Sequence, residues 1–286
     1  MKELAASHVV VVGIGLMGAS LAEALKGHCA SVSGIARRAE SVDEAIRRGV
    51  IDRGTTEIEE LLPEADIVVL ATPVRTIVTL LEECGPLFPE GSLVIDLGST
   101  KREILQALDR LPRGVHPLGG HPMCGKERSG LGAADGKLYC GCTFILSPLV
   151  RTSQEALDVG VSLVRSVGGK PIVLDPVRHD HLAATLSHLP YLLACSLVRT
   201  ADLLTSADPA AWEIVAGGYR DTTRVAGSDV RMMLDILTTN RSEILESASV
   251  CRDQLDELIE LLAKEDEETL GTALAGIRTE RRRMFP

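Results

Sequence analysis

The feature that most constrains this chain is a glycine pattern near its start, Gly13-Ile14-Gly15-Leu16-Met17-Gly18. It follows at once on the short apolar run His8-Val9-Val10-Val11-Val12 and leads into a stretch of helical character at 19–25. A β-branched run of that length reads as a buried parallel strand. Gly13 permits the tight turn out of it, Gly15 lets a diphosphate approach the backbone, and Gly18 lets helix and strand pack closely. The helix start offers free N–H groups and the positive end of its dipole to an anion. Leu16 and Met17, inside the turn, join the three glycines as candidate cofactor contacts. Alone the glycine pattern is weak, but between a strand and a helix it specifies an α/β dinucleotide-binding domain of Rossmann type, with a parallel-rich sheet.

The strands expected next tell more about the cofactor. The second runs near 31–35, and an NAD-type site normally places a carboxylate at its end for the ribose 2′-hydroxyl. Ala36 stands there, followed by Arg37-Arg38. A missing carboxylate removes repulsion against a 2′-phosphate, which an arginine can grip through two donors. NADP is therefore favoured, with NAD possible, although the same arginines would also serve as ordinary charges at a helix start. A strand at 65–71 leads into Thr72-Pro73-Val74 at the sheet edge where such folds bind ligands. Another at 93–97 ends in Asp96-Leu97-Gly98-Ser99-Thr100-Lys101. It projects Ser99, Thr100 and Lys101 toward the nicotinamide end, where Ser99 or Thr100 can also cap a helix. Later strands are expected at 143–146 and 171–174.

His121 lies in Gly119-Gly120-His121-Pro122-Met123, downstream of this unit. An imidazole is suited to take a proton near neutral pH. A base beside a hydride acceptor is the minimum equipment for oxidising an alcohol. The flanking glycines and proline read as a stiff loop that lets a ligand approach closely.

Beyond Pro176 the pattern becomes helical, with apolar periodicity at 181–204, 231–240, 242–262 and 265–277. The expected division is a dinucleotide-binding domain at 1–175 and a helical domain at 176–286. His181 and His188 are seven apart and would share a helix face. A metal site there lacks a third ligand at useful spacing, and none is expected. Pro190 should kink that helix. Arg220 and Arg224, four apart, would face one way if helical and suit a carboxylate, or else belong to a solvated loop paired through Asp221.

The formal net charge of −10 argues against broad nucleic-acid binding, and leaves an anionic substrate dependent on local arginines. Seven cysteines lack zinc-like spacing, and Cys140-Gly141-Cys142 stands alone. Their odd number, without a secretory signal, suggests free thiols in a reducing cytoplasm. No run is expected to cross a membrane.

Together these residues resemble the prephenate and arogenate dehydrogenases of tyrosine biosynthesis. The resemblance rests on the glycine unit, Asp-x-Gly-Ser-x-Lys at 96–101, Gly-Gly-His-Pro-Met at 119–123 and Glu127 to Gly130. It continues through His179-Asp180, Ser187-His188-Leu189-Pro190 and Arg220-Asp221-Thr222-Thr223-Arg224. It implies that a cyclohexadiene carrying a ring hydroxyl and a ring carboxylate loses hydride to the nicotinamide and then carbon dioxide. His121 would take the hydroxyl proton, and Ser99 would bond near the same hydroxyl and the cofactor. Arg224 would bind a substrate carboxylate and Arg220 assist at the rim. Ser187, His188, Glu127, Tyr191 and Met233 would lie on the substrate side, and the helical domain would form a homodimer. Three positions depart from common family residues: Lys126 replaces threonine, Tyr191 histidine and Met233 tryptophan. The last two, with Arg37-Arg38, lean toward arogenate and NADP. The two domains use the whole length, so no fused mutase or regulatory domain is expected. Two rival readings keep the nucleotide fold: a β-hydroxyacid dehydrogenase or pyrroline-carboxylate reductase, and a non-catalytic NADP sensor. The hydroxyacid enzymes need a helical-domain lysine, for which Lys264 is poorly placed, and a sensor has no use for His121, Ser99 and Arg224 together.

Overall fold

The computed structural model describes residues 1–126 and 128–285. Its first part is an eight-stranded sheet: β1 (His8–Val12), β2 (Ser31–Ile35), β3 (Arg53–Thr55), β4 (Ile67–Leu70), β5 (Leu93–Asp96), β6 (His116–Pro122), β7 (Thr143–Pro148) and β8 (Lys170–Val173). The order is β3-β2-β1-β4-β5-β6-β7-β8, parallel throughout except for the antiparallel β6–β7 pair. Helices α1 (Leu16–Ala24), α2 (Ala39–Arg47), α3 (Ile58–Leu61), α4 (Val74–Glu83), α5 (Arg102–Asp109) and α6 (Gln154–Ser166) complete this domain. The uninterrupted valines of β1 serve two cores at once. Val9 and Val11 join Leu21, Ile67 and Leu93 on one face, while Val10 and Val12 join Leu62, Ile77 and Leu108 on the other. A strand covered on both faces needs no polar alternation, and each buried valine contributes about 1.5–3 kcal/mol. The chain reverses its winding between β1 and β4, which opens a crevice at their C-terminal ends.

Two strands run against the sequence reading. The short edge strand β3 has no counterpart in it, and the Gly119–Met123 segment expected as a loop is mostly strand β6. Proline and glycine are depleted in strands, so local preference conceals β6. Its neighbours hold it in place: Leu118 lies opposite Ile95 of β5, and His121 opposite Ile145 of β7. Close packing, rather than ligand approach, demands the glycine before His121. A Cβ on Gly120 would lie 2.4 Å from the Asp96 carbonyl oxygen.

The second part is helical: α7 (Pro176–Ala183), α8 (Leu189–Thr205), α9 (Gly217–Thr223), α10 (Val230–Thr239), α11 (Arg241–Ala263) and α12 (Glu267–Met284). A π-turn at Ala184–His188 joins α7 to α8. It lies where Pro190 removes an amide and its ring presses on the carbonyl four residues earlier. The extra residue rotates the start of α8 by about 100° relative to α7. His188 therefore turns inward while His181 stays exposed, and the two do not share a face as expected. The run 176–205 has the length and mean hydropathy, 1.3, of a membrane span, contrary to the expectation of none. Its buried polar residues His179, Asp180 and His188 bond to neighbouring parts of the protein.

Candidate active site

The crevice beyond β1 and β4 is a cleft of about 1050 Å³. Gly13, Gly15, Ala36, Arg37, Arg38, Thr72 and Pro73, the residues singled out from three strand ends, all line it. Gly13 has φ +103°, and an added Cβ would meet the Ala71 carbonyl at 2.8 Å. Gly15 faces open space, with nothing within 4 Å of such an atom. Among the described residues no side chain caps the start of α1, which leaves its first amides open to an anion. The buried Thr72 hydroxyl has no protein partner among the described residues. An open backbone, uncapped amides and an unpaired hydroxyl fit a dinucleotide. Leu16, Met17 and Gly18 do not line the cleft but form its foundation; the Met17 carbonyl accepts a hydrogen bond from Tyr139 Oη at 2.7 Å. Arg231 of α10 also lines the cleft, a contribution from the helical domain with no signal in the sequence.

His121, at the end of β6, is almost fully buried. Its Nδ1 lies 2.8 Å from Nε2 of His179, whose own Nδ1 lies 2.8 Å from Oδ1 of Asp180. Asp180 also accepts the backbone amides of Lys101 (2.7 Å) and Arg102 (2.9 Å). Burial pushes the Asp180 carboxyl up, but the bonds from His179 and those two amides outweigh it and hold the group below its ordinary range. An ionised Asp180 can only accept, so Nδ1 of His179 carries the proton. When that is its only ring proton, Nε2 of His179 accepts from Nδ1–H of His121. Nε2 of His121 is then left with a free lone pair. Burial first, then His179, Lys101 and His188, hold the His121 imidazole well below 6.5, so it is neutral at pH 7.

The same seam joins the two halves of the molecule. Asp180 caps α5, a role the sequence had offered to Ser99 or Thr100 as an alternative to a ligand contact. The Asp235 carboxylate meets the Arg75 amide at 3.3 Å at the start of α4 in a similar way. Asn240 donates to the Asp180 carbonyl at 2.7 Å and approaches Nδ1 of His188 at 3.3 Å. Burial pulls the His188 imidazole down to about 4 against the pull of Asp180. Glu243 clamps Arg102 at 2.8 Å and His181 at 3.1 Å.

Comparisons with known proteins identify the family. A family model described as prephenate dehydrogenase, nucleotide-binding domain, matches residues 21–173, and one described as prephenate dehydrogenase, dimerization domain, matches residues 175–276. The chain belongs to the prephenate dehydrogenase family. A Bacillus subtilis prephenate dehydrogenase is 32% identical over 92% of this chain and 72% of its own length. The crystal structure of the Aquifex aeolicus prephenate dehydrogenase with hydroxyphenyl propionate and NAD+ superposes with TM-score 0.91. It is 31% identical, covering 99% of this chain and 100% of that one. The Synechocystis arogenate dehydrogenase structure gives TM-score 0.82 at 28% identity, covering 97% and 99%. This membership sets aside the hydroxyacid dehydrogenases and pyrroline-carboxylate reductases as readings of the chain.

Within this prephenate dehydrogenase fold the other singled-out residues separate. Ser99 is half-buried at the end of β5. Thr100 and Lys101 do not face a ligand as expected: Thr100 bonds to Thr239 at 2.9 Å, and Lys101 is fully buried and paired with Asp96. Asp96 also accepts from the Gly98 and Gly120 amides. Arg220 lies on α9, and Arg224 opens the short 3-10 turn Arg224–Gly227; both are exposed, and this turn packs on α8. Tyr191 is half-buried near the start of α8, Ser187 is exposed in the π-turn and Met233 is buried on α10. Glu127 lies outside the described residues. Sequence reasoning included His179-Asp180 without a role and missed Asn240 altogether. Nothing in local spacing announces that a histidine at 179 will meet one at 121.

Proposed function

We propose that the protein oxidatively decarboxylates arogenate or prephenate with NAD(P)+, in tyrosine biosynthesis, with arogenate and NADP favoured. The observation that carries this reading is the chain of buried contacts from His121 Nδ1 to His179 Nε2 at 2.8 Å and from His179 Nδ1 to Asp180 at 2.8 Å. In the proposed arrangement, Gly13, Gly15 and the first amides of α1, with Leu16, Met17 and Gly18 shaping the turn, hold the diphosphate. Ala36, Arg37 and Arg38 receive the adenosine ribose and its 2′-phosphate. Thr72, Pro73 and Ser99 contact the nicotinamide side. When bound, the cofactor accepts the hydride.

His121 Nε2 takes the proton of the substrate's ring hydroxyl as its carbon becomes a carbonyl. Ser99 orients that hydroxyl. Asp180 and His179 fix the tautomer and stabilise the imidazolium as it forms. The carbon–carbon bond to the ring carboxylate then breaks, its electron pair enters the ring, and the new carbonyl oxygen becomes a phenol on regaining a proton. Aromatisation and loss of carbon dioxide make the sequence irreversible. Arg224 binds a substrate carboxylate and Arg220 assists at the rim, with Ser187, His188 and Glu127 contributing to the substrate side. Tyr191 and Met233 tune the choice between keto-acid and amino-acid side chains. Residues 1–175 serve the cofactor. Residues 176–286 serve the substrate and a homodimer, which would cover exposed apolar side chains such as Leu186, Leu193, Leu203 and Leu255.

The deciding experiment is initial-rate nicotinamide reduction in four mixtures, prephenate or arogenate with NAD or NADP. The fastest turnover is expected with arogenate and NADP. A clear preference for prephenate with NAD would show that Arg37, Arg38, Tyr191 and Met233 were misread for specificity. Silence in all four, from folded protein that binds NADP, would overturn the reaction itself.

A further inference from the structure

Two of the cysteines are brought together by the strand that carries His121. The β6–β7 ladder pairs Pro122 with Phe144, and the Met123 amide extends it by bonding to the Thr143 carbonyl at 2.8 Å. Continued two steps past its last pair, the same register sets Cys124 opposite Cys142. Because Met123 and Thr143 form a hydrogen-bonded pair, Cys124 and Cys142 fall on a non-hydrogen-bonded one. The backbone agrees: the Cys142 amide bonds to the Tyr139 carbonyl at 3.1 Å and its carbonyl accepts from Lys170 at 2.8 Å. At such positions Cα atoms approach to about 4.5 Å, within the range a disulfide spans. Both thiols are half-buried and free.

They also interact. The neighbouring Cys142 sulfur pushes the Cys124 thiol up, with burial adding to the effect. Cys124 in turn lowers the Cys142 thiol, against the opposing effect of burial. Cys142 is therefore the thiol of the two that ionises first and attacks. The surroundings give the pair consequence. Tyr139, whose hydroxyl holds the Met17 carbonyl under the cofactor cleft, feels both thiols. Cys124 lies three residues past His121, on the way to Gly130, Leu131 and Gly132, which line the cleft.

We propose that Cys124 and Cys142 are a redox-responsive dithiol that closes to a reversible cross-strand disulfide between β6 and β7, with low-molecular-weight disulfides of the glutathione type as oxidant. The Cys142 thiolate attacks one sulfur of the small disulfide, whose S–S bond breaks and releases one small thiolate. Cys124 loses its proton and attacks the Cys142 sulfur, expelling the second. Two electrons and two protons thus pass from the protein to the small disulfide, yielding two small thiols. The new bond tethers the chain leaving His121 and slows turnover, and dithiol reductants reverse it.

The test treats the full protein, with NADP present, with oxidised glutathione. Remaining thiols are then blocked by alkylation, and the peptides are mapped by mass spectrometry alongside initial rates. The expected result is one linked species joining the peptides of Cys124 and Cys142, formed equally in Cys140→Ser, with turnover lowered and restored by dithiothreitol. Cys124→Ser should trap glutathione on Cys142, because the resolving thiol is gone. Alkylation of both Cys124 and Cys142 after treatment, or a link between Cys140 and Cys142, overturns the assignment. A 124–142 link with unchanged turnover overturns its role as a switch.

Discussion

The cofactor cleft and the histidine seam are both polar sites at the edge of one sheet, yet they are built in different ways. The cleft collects residues 13–15, 36–38 and 72–73, each group standing just after the strand that delivers it. The seam collects Asp96 and Lys101, His121, His179 and Asp180, His188 and Asn240, drawn from both halves of the chain. In the cleft the open glycine backbone and uncapped amides offer most of the polar surface. In the seam almost every partner is a buried side chain. A site made of backbone tolerates change beside it, whereas a buried network fails when one member is removed.

The largest expected effect breaks the seam and spares the cleft. Replacing His121 by Asn should lower kcat by about 10²–10⁴, the usual worth of a general base. Cofactor fluorescence titration should show binding unchanged; turnover within a few-fold of wild type would remove His121 from the chemistry. Next is Lys101→Met, which strands the buried Asp96 carboxylate and should cost about 3–5 kcal/mol in urea unfolding. A variant with near-normal stability and a raised KM would return Lys101 to a ligand-facing role.

Acid should reach the seam before the cleft. His121 and His188 are held below 6.5 in the folded protein, His188 at about 4, so the unfolded chain binds protons first as pH falls. Their contribution is complete above pH 6.5 and declines below it, by at most about 3 kcal/mol for His188 down to pH 4. The acid limb of kcat/KM should likewise lie below 6.5; a limb at or above that value would mean that His121 is not held neutral by its surroundings. The smallest effect sharpens the boundary between the two regions. Arg224→Ala should raise the substrate KM about 10- to 100-fold, as expected for a charge-assisted bond, and leave the cofactor KM unchanged. An equal rise in both would place Arg224 at the cleft.

Most of the cleft is legible in the sequence because its signals are local. A β-branched run, three glycines and a missing carboxylate after Ile35 each act within a few residues of where they stand. Those residues settle a Rossmann-type domain and where its ligand crevice lies, and the apolar periodicity beyond Pro176 adds that a helical domain follows. The sequence also singles out His121, but not its setting. That β6 is a strand depends on β5 and β7 lying against it, since its own prolines and glycines argue otherwise. That His188 points inward while His181 does not depends on one extra residue in a π-turn. Only the tertiary structure could set Asp180 on α5 and His179 against His121, because those contacts span 58 to 79 residues. Local preference reaches about one helical turn, and burial decides the rest.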